Sequence, residues 1–191
     1  MSSSPLGHKT DYVSSYDASL LFPIPRHESR KTLGLLDDLP FYGQDIWTGY
    51  ELSWLNIKGK PEVAVAEFSV PFDSPNIIEL KSFKLYLNSL NQTRFSGFDE
   101  VKELLVKDLS AAAESDVSVS LKSLSDSNLL IDFTVKGVCI DGLDISVESY
   151  HPQAEHLKAN ESEQTSETLC SHLLKSNCPV TGQPDWASVF I

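Results

Sequence analysis

The sequence predicts an α+β fold, in which an antiparallel sheet of the order β-β-α-α-β-β carries two helices on one face. Tyr50, Leu52 and Trp54 alternate with polar residues, which is typical of a half-buried strand. Further along, residues 83–90 and 98–113 repeat apolar side chains at helical spacing. Because both helices lie between two pairs of strands in the chain, we expect them to cover the same face of one sheet.

Turn and capping residues separate these elements. Gly59–Pro61 predicts a turn between the first strand and a second one at Val63–Phe68, so the two strands are expected to form a hairpin. Ser96, with Asp99 three residues later, predicts a capping box at the start of the second helix. The remaining predicted strands of this sheet are Val117–Leu121 and Ile131–Ile140.

The composition along the chain predicts two modules. Residues 1–45 are rich in Ser, Pro and Gly and are expected to form an irregular N-terminal arm, followed by a first module at 46–150. A polar linker at 151–165 leads to the beginning of a second module at 166–191. The last residues continue an apolar strand pattern, so we expect the chain to be part of a longer protein; the alternative is a last strand that completes a sheet.

Charge and cysteine content limit the possible functions. The 191 residues carry a formal net charge of -12, and an acidic chain repels phosphate backbones, so direct nucleic-acid binding is not expected. We find neither an apolar run of membrane-spanning length nor a secretory signal. Cys139, Cys170 and Cys178 lack the spacing of a disulfide framework, which favours a reducing cytoplasm. His172 lies near two of them, but without the spacing of a zinc site, and no metal is expected.

Cys178 opens the first candidate catalytic motif, which extends to Trp186. Pro179, Gly182 and Pro184 predict a tight turn that brings Asp185 back towards the thiol of Cys178. A thiol beside an acid–base group is a nucleophile with a proton shuttle. The alternative is a structural, buried cysteine beside a loop whose aspartate serves as a cap.

The second candidate motif is Glu79–Tyr86, which precedes and enters the first predicted helix. Lys81 and Lys84 are three residues apart and share a helical face, where two ammonium groups can hold a phosphate. Glu79 can accept paired hydrogen bonds from the N–H groups of a heterocycle. The alternative is a solvated surface with amphipathic lysines.

Both motifs resemble those of one enzyme family. Glu79–Tyr86 is similar to the signature of the NADPH-dependent 7-cyano-7-deazaguanine reductases, the nitrile reductases of queuosine biosynthesis, and Cys178–Trp186 resembles their catalytic loop. Asp45–Thr48 and Ser171–Asn177 resemble the long, two-module branch. The resemblance covers nearly the whole chain and implies the tunnelling fold (T-fold), a cytoplasmic location and a homodimer at full length. Leu80 departs from the pattern, since many members have Ser there.

The resemblance implies a role for each motif residue. Cys178 is expected to attack the nitrile carbon and form a thioimide, with Asp185 as the proton donor. Glu79 and Leu80 are expected to bind 7-cyano-7-deazaguanine. The residues expected to bind the cofactor NADPH are Lys81, Ser82 and Lys84. Members of the family have further site residues later in the second module, so this chain alone is expected to be inactive.

Two other functional classes stay open on the sequence. One is a different tunnelling-fold enzyme that acts on a pterin or purine, such as a cyclohydrolase, which would need a zinc site of Cys and His that we do not find. The other is a non-catalytic binding module, in which Cys178 is structural. The two classes differ from a nitrile reductase in whether Cys178 reacts in a ligand-dependent way.

Overall fold

A computed structural model of the chain shows two compact units, Met1–Leu130 and Ile131–Ile191. Asp185 is described by its backbone alone. The described residues are 13, 15–35, 39–124, 137–147, 149, 153–160, 162, 164–177 and 182–191.

The first unit mixes helices and strands, which confirms the predicted α+β class. A single 3-10 turn at Ala18–Leu20 precedes its regular elements. In chain order these are β1 (Pro23–Pro25), α1 (Arg26–Thr32), β2 (Gln44–Asn56), β3 (Pro61–Pro71), β4 (Asn76–Ile78), α2 (Leu80–Ser89), β5 (Arg94–Phe95), α3 (Phe98–Ala113) and β6 (Ser118–Ser123).

The main sheet has the strand order β5-β2-β3-β6. Strands β2 and β3 form the predicted antiparallel hairpin, and β6 pairs antiparallel with β3. The turn is closed by Asn56, whose Oδ1 accepts hydrogen bonds from the N–H groups of Lys58 and Lys60 at 3.0 and 3.1 Å. Gly59 adopts the positive φ of 82° that this turn requires. The two-residue strand β5 pairs parallel with the end of β2.

The core lies between one face of this sheet and the two long helices. Along β3, residues Ala64, Ala66 and Phe68 are buried, whereas the residues between them are more exposed, as strand alternation requires. The same face of β2 contributes Leu52 and Trp54. The helical residues buried in this core include Phe83, Tyr86 and Leu90 from the α2 region, and Val101, Leu105 and Leu109 from α3.

The helices confirm the predicted positions, with one difference, at the start of α3. Helix α3 spans Phe98–Ala113 as expected, but the predicted Ser96–Asp99 capping box is wrong. The backbone N–H and the hydroxyl of Ser96 instead donate to Glu100, at 2.6 and 2.7 Å, because Gly97 takes the cap position and shifts the register by one residue. Helix α2 begins at Leu80, directly after Glu79, as expected for a motif that precedes and enters the first helix.

The N-terminal arm is part of the first unit, and its described residues contain more regular structure than the sequence predicts. Strand β1 pairs antiparallel with β4, and the short helix α1 follows it directly. The Arg26 guanidinium forms an ion pair with Asp45 and donates to the Ser74 hydroxyl at 3.0 Å. Tertiary contacts of this kind stabilise a helix of seven residues that has no buried side chain, which is why apolar periodicity does not reveal it.

A buried carboxylate joins the arm to both long helices. Asp108 of α3 is 8% exposed, and its Oδ2 accepts hydrogen bonds from the hydroxyls of Tyr16 and Tyr86, both at 2.8 Å. Burial, followed by the bond to Asp108, raises the pKa of Tyr16 to about 12, and the same causes raise the pKa of Tyr86. Both tyrosines therefore stay neutral donors well into the alkaline range.

The second unit has strands β7 (Val138–Cys139), β8 (Leu169–Asn177) and β9 (Pro184–Phe190) and a 3-10 turn at Ala154–His156. The predicted hairpin is present, since β8 and β9 pair antiparallel, while β7 pairs parallel with β8. Most of the predicted fourth strand lies outside the described residues, and its described part, β7, belongs to this unit rather than to the first sheet. The module boundaries at 46–150 and 166–191 stay a prediction.

We predict that the Tyr16–Asp108–Tyr86 cluster makes folding stability fall at alkaline pH. Because the folded-state pKa of Tyr16 is raised from 10.0 to about 12, its stabilising effect is complete below pH 10 and is lost as the pH rises through 12. Urea denaturation of the parent across this range should show that loss, and Tyr16→Phe should reduce it. Tyr42→Phe is the control, because Tyr42 is 93% exposed; an equal effect of both substitutions would contradict the assignment.

Candidate functional site

The carboxylate of Glu79 caps helix α2. Its Oε1 accepts the backbone N–H of Lys81 at 3.0 Å, and its Oε2 accepts that of Ser82 at 2.7 Å. These N–H groups have no partner within the helix, and the positive end of the helix dipole favours a carboxylate there. Glu79 is only 5% exposed. The cap explains why α2 begins at Leu80, ahead of its apolar repeat.

Ser82 ties this helix start to the N-terminal arm. Its hydroxyl donates to the carbonyl of Glu79 at 2.7 Å and accepts the N–H of Phe22 at 3.0 Å. The N–H of Glu79 donates in turn to the carbonyl of Phe22 at 2.9 Å. Ser82 is fully buried. Protein groups therefore engage its hydroxyl on both sides, and its expected contact with the cofactor stays a prediction.

A cavity of about 790 Å³ lies between strand β2 and helix α2. The wall on the sheet side includes residues 49–52, where the register of β2 shifts relative to β3 in a β-bulge. Bulges of this kind bend a strand and redirect its side chains, and they are frequent next to functional sites. The helix side includes Leu80, Lys84 and Asn88. This volume is typical of a small-molecule site.

The cavity separates the predicted site residues of the first motif into two groups. Leu80 and Lys84 are exposed and line it. Glu79 and Ser82 are buried at the helix start, and Lys81 is half-buried on the first turn; none of these three is among the lining residues. Of the two expected phosphate-binding lysines, Lys84 is thus the one at the cavity.

The polar residues of the cavity wall that were not predicted as site residues include a hydrogen-bonded series of three. Ser53 donates its hydroxyl hydrogen to Oδ1 of Asn91 at 2.6 Å, and Nδ2 of Asn91 donates to Oδ1 of Asn88 at 2.8 Å. Lys84, Asn88 and Asn91 follow the spacing i, i+4, i+7, so the sequence does contain a signal for them. The stronger apolar repeat of the core face conceals it.

The second motif belongs to the hairpin of the second unit. The last ladder pair joins Asn177 of β8 to Pro184 of β9, and Asp185 pairs by its backbone with Ser176. Cys178, the predicted nucleophile, lies outside the described residues, as does the turn at 179–181. The predicted proximity of Cys178 and Asp185 therefore stays a prediction.

Polar contacts stabilise the described part of this hairpin. The ammonium of Lys175 lies 5.8 Å from the ring centre of its cross-strand partner Trp186, within cation–π range. Asp141 accepts the hydroxyl of Ser171 at 2.6 Å and the N–H of His172 at 3.0 Å, and these donors lower the pKa of the Asp141 carboxyl. Nδ1 of His172 also hydrogen-bonds the hydroxyl of Ser188 at 2.7 Å.

The described residues contain neither a metal-binding cluster nor a membrane-spanning helix. Across the described ranges, no three His, Cys, Asp or Glu side chains lie close enough together to hold a metal ion. In the same part of the chain, no helix combines the length and the apolar character needed to cross a membrane.

Comparison with known proteins identifies the family. Residues 12–121 match the family described as nitrile reductase, 7-cyano-7-deazaguanine-reductase N-terminal region, and the chain belongs to this family. Its relatives include proteins named NADPH-dependent 7-cyano-7-deazaguanine reductase from Burkholderia multivorans and Burkholderia lata, each 55% identical over 189 residues. A third, from Burkholderia ambifaria, is 54% identical. Each match covers 98% of this chain and 69% of the relative.

We predict that Glu79 has a measurable structural role, independent of any ligand. Glu79→Ala leaves two helix N–H groups without their acceptor and should lower the free energy of unfolding by about 0.5–2 kcal/mol. Urea denaturation measures this loss. Glu103→Ala on the exposed face of α3 is the control and should stay within about 0.5 kcal/mol of the parent. If Glu79→Ala is as stable as the parent, the cap does not contribute to the free energy of unfolding.

Proposed function

We propose that this chain carries the substrate, cofactor and nucleophile residues of an NADPH-dependent 7-cyano-7-deazaguanine reductase. The reaction converts the nitrile of the substrate into an aminomethyl group, in the biosynthesis of the modified tRNA nucleoside queuosine. One observation carries the proposal, namely 55% identity over 98% of the chain to proteins of that name. Nearly every residue of the chain falls inside that match, including both motifs.

The proposed chemistry begins at Cys178. Asp185 takes the proton of the Cys178 thiol and passes it to the nitrile nitrogen, while the sulfur adds to the nitrile carbon, so that the C≡N bond becomes the C=N–H of a thioimide. Reduction of a nitrile to a primary amine takes four electrons, and NADPH supplies them as two hydrides. After the first reduction, the thiolate of Cys178 leaves the carbon and an imine forms. Reduction of the imine gives the amine and frees the cysteine.

The ladder of the second unit supports this pairing of nucleophile and acid. Cys178 is bonded directly to Asn177, and Asp185 directly to Pro184, and Asn177 and Pro184 face each other as the last pair of the hairpin. Neighbouring strands lie about 4.8 Å apart. Asp185 lies within the ladder opposite Ser176, two positions before Cys178 in the sequence, so only a short stretch of one hairpin separates the two proposed residues in the chain.

Glu79 is proposed to recognise the deazaguanine edge. A carboxylate has about four positions that accept hydrogen bonds, and the backbone of α2 uses two of them. The helix thus holds the group in one orientation before a ligand arrives, which lowers the entropic cost of recognition. Leu80 follows it at the exposed wall of the cavity, where an apolar side chain can pack against a planar ring.

The residues at the β2–α2 cavity fit a phosphate-bearing cofactor. Lys84 offers an ammonium on the cavity side of α2, and Leu80 adds apolar surface. Lys81 supplies a second positive charge one turn earlier. We therefore propose that Lys84 contacts a phosphate of NADPH directly and that Lys81 adds to the local positive potential. In a chain of net charge -12, such a local basic group is needed to attract an anion.

The assembly and the cellular location are proposed from the same similarity to proteins named 7-cyano-7-deazaguanine reductase. The full-length protein is proposed to be a homodimer of two-module chains in the cytoplasm, a reducing compartment that suits an exposed thiol such as that of Cys139. The net charge of -12 favours action on the free heterocycle rather than on tRNA, because an acidic surface repels a polyphosphate backbone.

The first functional prediction concerns the nucleophile. The full-length protein, mixed with 7-cyano-7-deazaguanine in the absence of NADPH, should form a covalent adduct at Cys178, and intact-mass analysis with peptide mapping detects it. Cys178→Ala should abolish the adduct and turnover together. Cys139→Ser is the matched control, since it removes an exposed thiol outside the motif. An adduct that maps to Cys139 or Cys170 would exclude Cys178 as the nucleophile.

The second functional prediction separates cofactor from substrate. Lys84→Ala should lower kcat/KM for NADPH about tenfold or more, because a charge-assisted hydrogen bond contributes about 1.5–3 kcal/mol. Lys84→Ala should change the dissociation constant of 7-cyano-7-deazaguanine little. Calorimetry measures this constant with and without Lys84→Ala in chains that also carry Cys178→Ala, so that no covalent adduct forms. Lys102→Ala, on the exposed face of α3, controls for the loss of one positive charge. Equal effects of the two lysine substitutions would show that Lys84 does not contact the cofactor.

A further inference from the structure

Strands β7 and β8 place two thiols side by side, outside the proposed reaction site. Cys139 and Cys170 are direct partners in the parallel ladder. Backbone hydrogen bonds hold them on either side, from Val138 to the carbonyl of Thr168 at 2.9 Å and from Ile140 to the carbonyl of Cys170 at 3.0 Å. Their relative position is therefore set by the backbone and does not depend on side-chain packing.

The spacing of this pair suits a disulfide. Adjacent strands are about 4.8 Å apart, and the Cα atoms of disulfide-bonded cysteines are usually separated by roughly 4.4–6.8 Å. As direct partners in the ladder, Cys139 and Cys170 present their side chains on the same face of the sheet. A bond between the two sulfur atoms therefore needs no rearrangement of the ladder.

Gly137 permits this close approach. A Cβ atom at position 137 would lie 2.7 Å from the carbonyl oxygen of Thr168, and its φ of +116° is one that other residues rarely adopt. Any larger residue would force β7 away from β8, and with it Cys139 away from Cys170.

The two thiols differ in accessibility. Cys139 is exposed, whereas Cys170 is 1% exposed, and burial followed by the bond to Cys139 raises the pKa of the Cys170 thiol. An oxidant in solution therefore reaches Cys139 first, and Cys170 remains a protonated thiol beside it. This is the usual arrangement of a reacting and a resolving cysteine.

We propose that Cys139 and Cys170 form a reversible dithiol–disulfide site that reacts with peroxides. The Cys139 thiol takes one oxygen from hydrogen peroxide, which gives a sulfenic acid and water. The sulfur of Cys170 then attacks the sulfenic sulfur, the S–O bond breaks, and the oxygen leaves as a second water with the Cys170 proton. Two electrons pass from the thiol pair to the peroxide, and an external dithiol restores the reduced pair.

This site is distinct from the nitrile chemistry. Cys170 precedes Cys178 by eight positions, and neither Cys139 nor Cys170 belongs to the proposed catalytic motif. The link would join β7 covalently to β8, the strand that leads to the nucleophile. In a reducing compartment such a disulfide is transient and forms under oxidative load.

The test uses the chain with Cys178→Ala, which removes the third thiol. After treatment with hydrogen peroxide and alkylation of free thiols, peptide mapping without reductant should find Cys139 linked to Cys170, and dithiothreitol should release both. In the additional variant Cys170→Ser, dimedone should trap a sulfenic acid at Cys139. If both thiols stay alkylatable after oxidation, or if the disulfide joins two chains instead, the proposal is overturned.

Gly137→Ala provides a matched control, because both thiols are kept while their spacing changes. The link should form markedly more slowly in this variant, whose folding is checked by circular dichroism. Gly142→Ala, where an added Cβ meets no atom within 4 Å, should behave like the parent. Equal rates of linkage in all three chains would show that the β7–β8 ladder does not create the site.

Discussion

The cap that the Glu79 carboxylate forms on helix α2 is the interaction on which the first motif depends. It accepts the N–H groups of Lys81 and Ser82 and so determines where α2 begins. The arm is fastened to the same place, since Phe22 bonds both Glu79 and Ser82. Lys84 then falls one turn further along, at the β2–α2 cavity. In the sequence, the residues of this motif look like independent ligand contacts, but in the structure one residue, Glu79, organises the start of the helix that carries them.

The capping role of Glu79 matters for the interpretation of variants of the motif. Substitution of Glu79 removes a helix cap as well as the proposed substrate contact, so a loss of activity on substitution has to be separated from a loss of stability. Lys84 is free of this ambiguity, because it is exposed and no helix terminus depends on it. The polar series from Ser53 through Asn91 to Asn88 adds a rigid, hydrogen-bonded wall beside it.

Much of the fold could be predicted because it is encoded locally. The alternation along β3 and the apolar repeat of α3 are strong patterns, and α3 has the predicted bounds. The features that the sequence did not predict also have physical causes. Helix α1 has no apolar face and depends on the Arg26–Asp45 ion pair, and the cap of α3 shifted by one residue because Gly97 occupies the cap position. Parallel pairing of β7 with β8 is a long-range contact without a local signal.

The sequence by itself determined the α+β class, the two motifs and the resemblance to the nitrile reductases, because these depend on periodicity and on residue order. Only the tertiary structure decided which motif residues reach a cavity. Lys81 and Lys84 look equivalent in sequence, yet of the two only Lys84 lines it, because it belongs to the side of α2 that faces the cavity, together with Leu80 and Asn88. The pairing of Cys139 with Cys170 likewise could not be predicted from the sequence. Thirty intervening residues separate them, and only the backbone ladder brings them together.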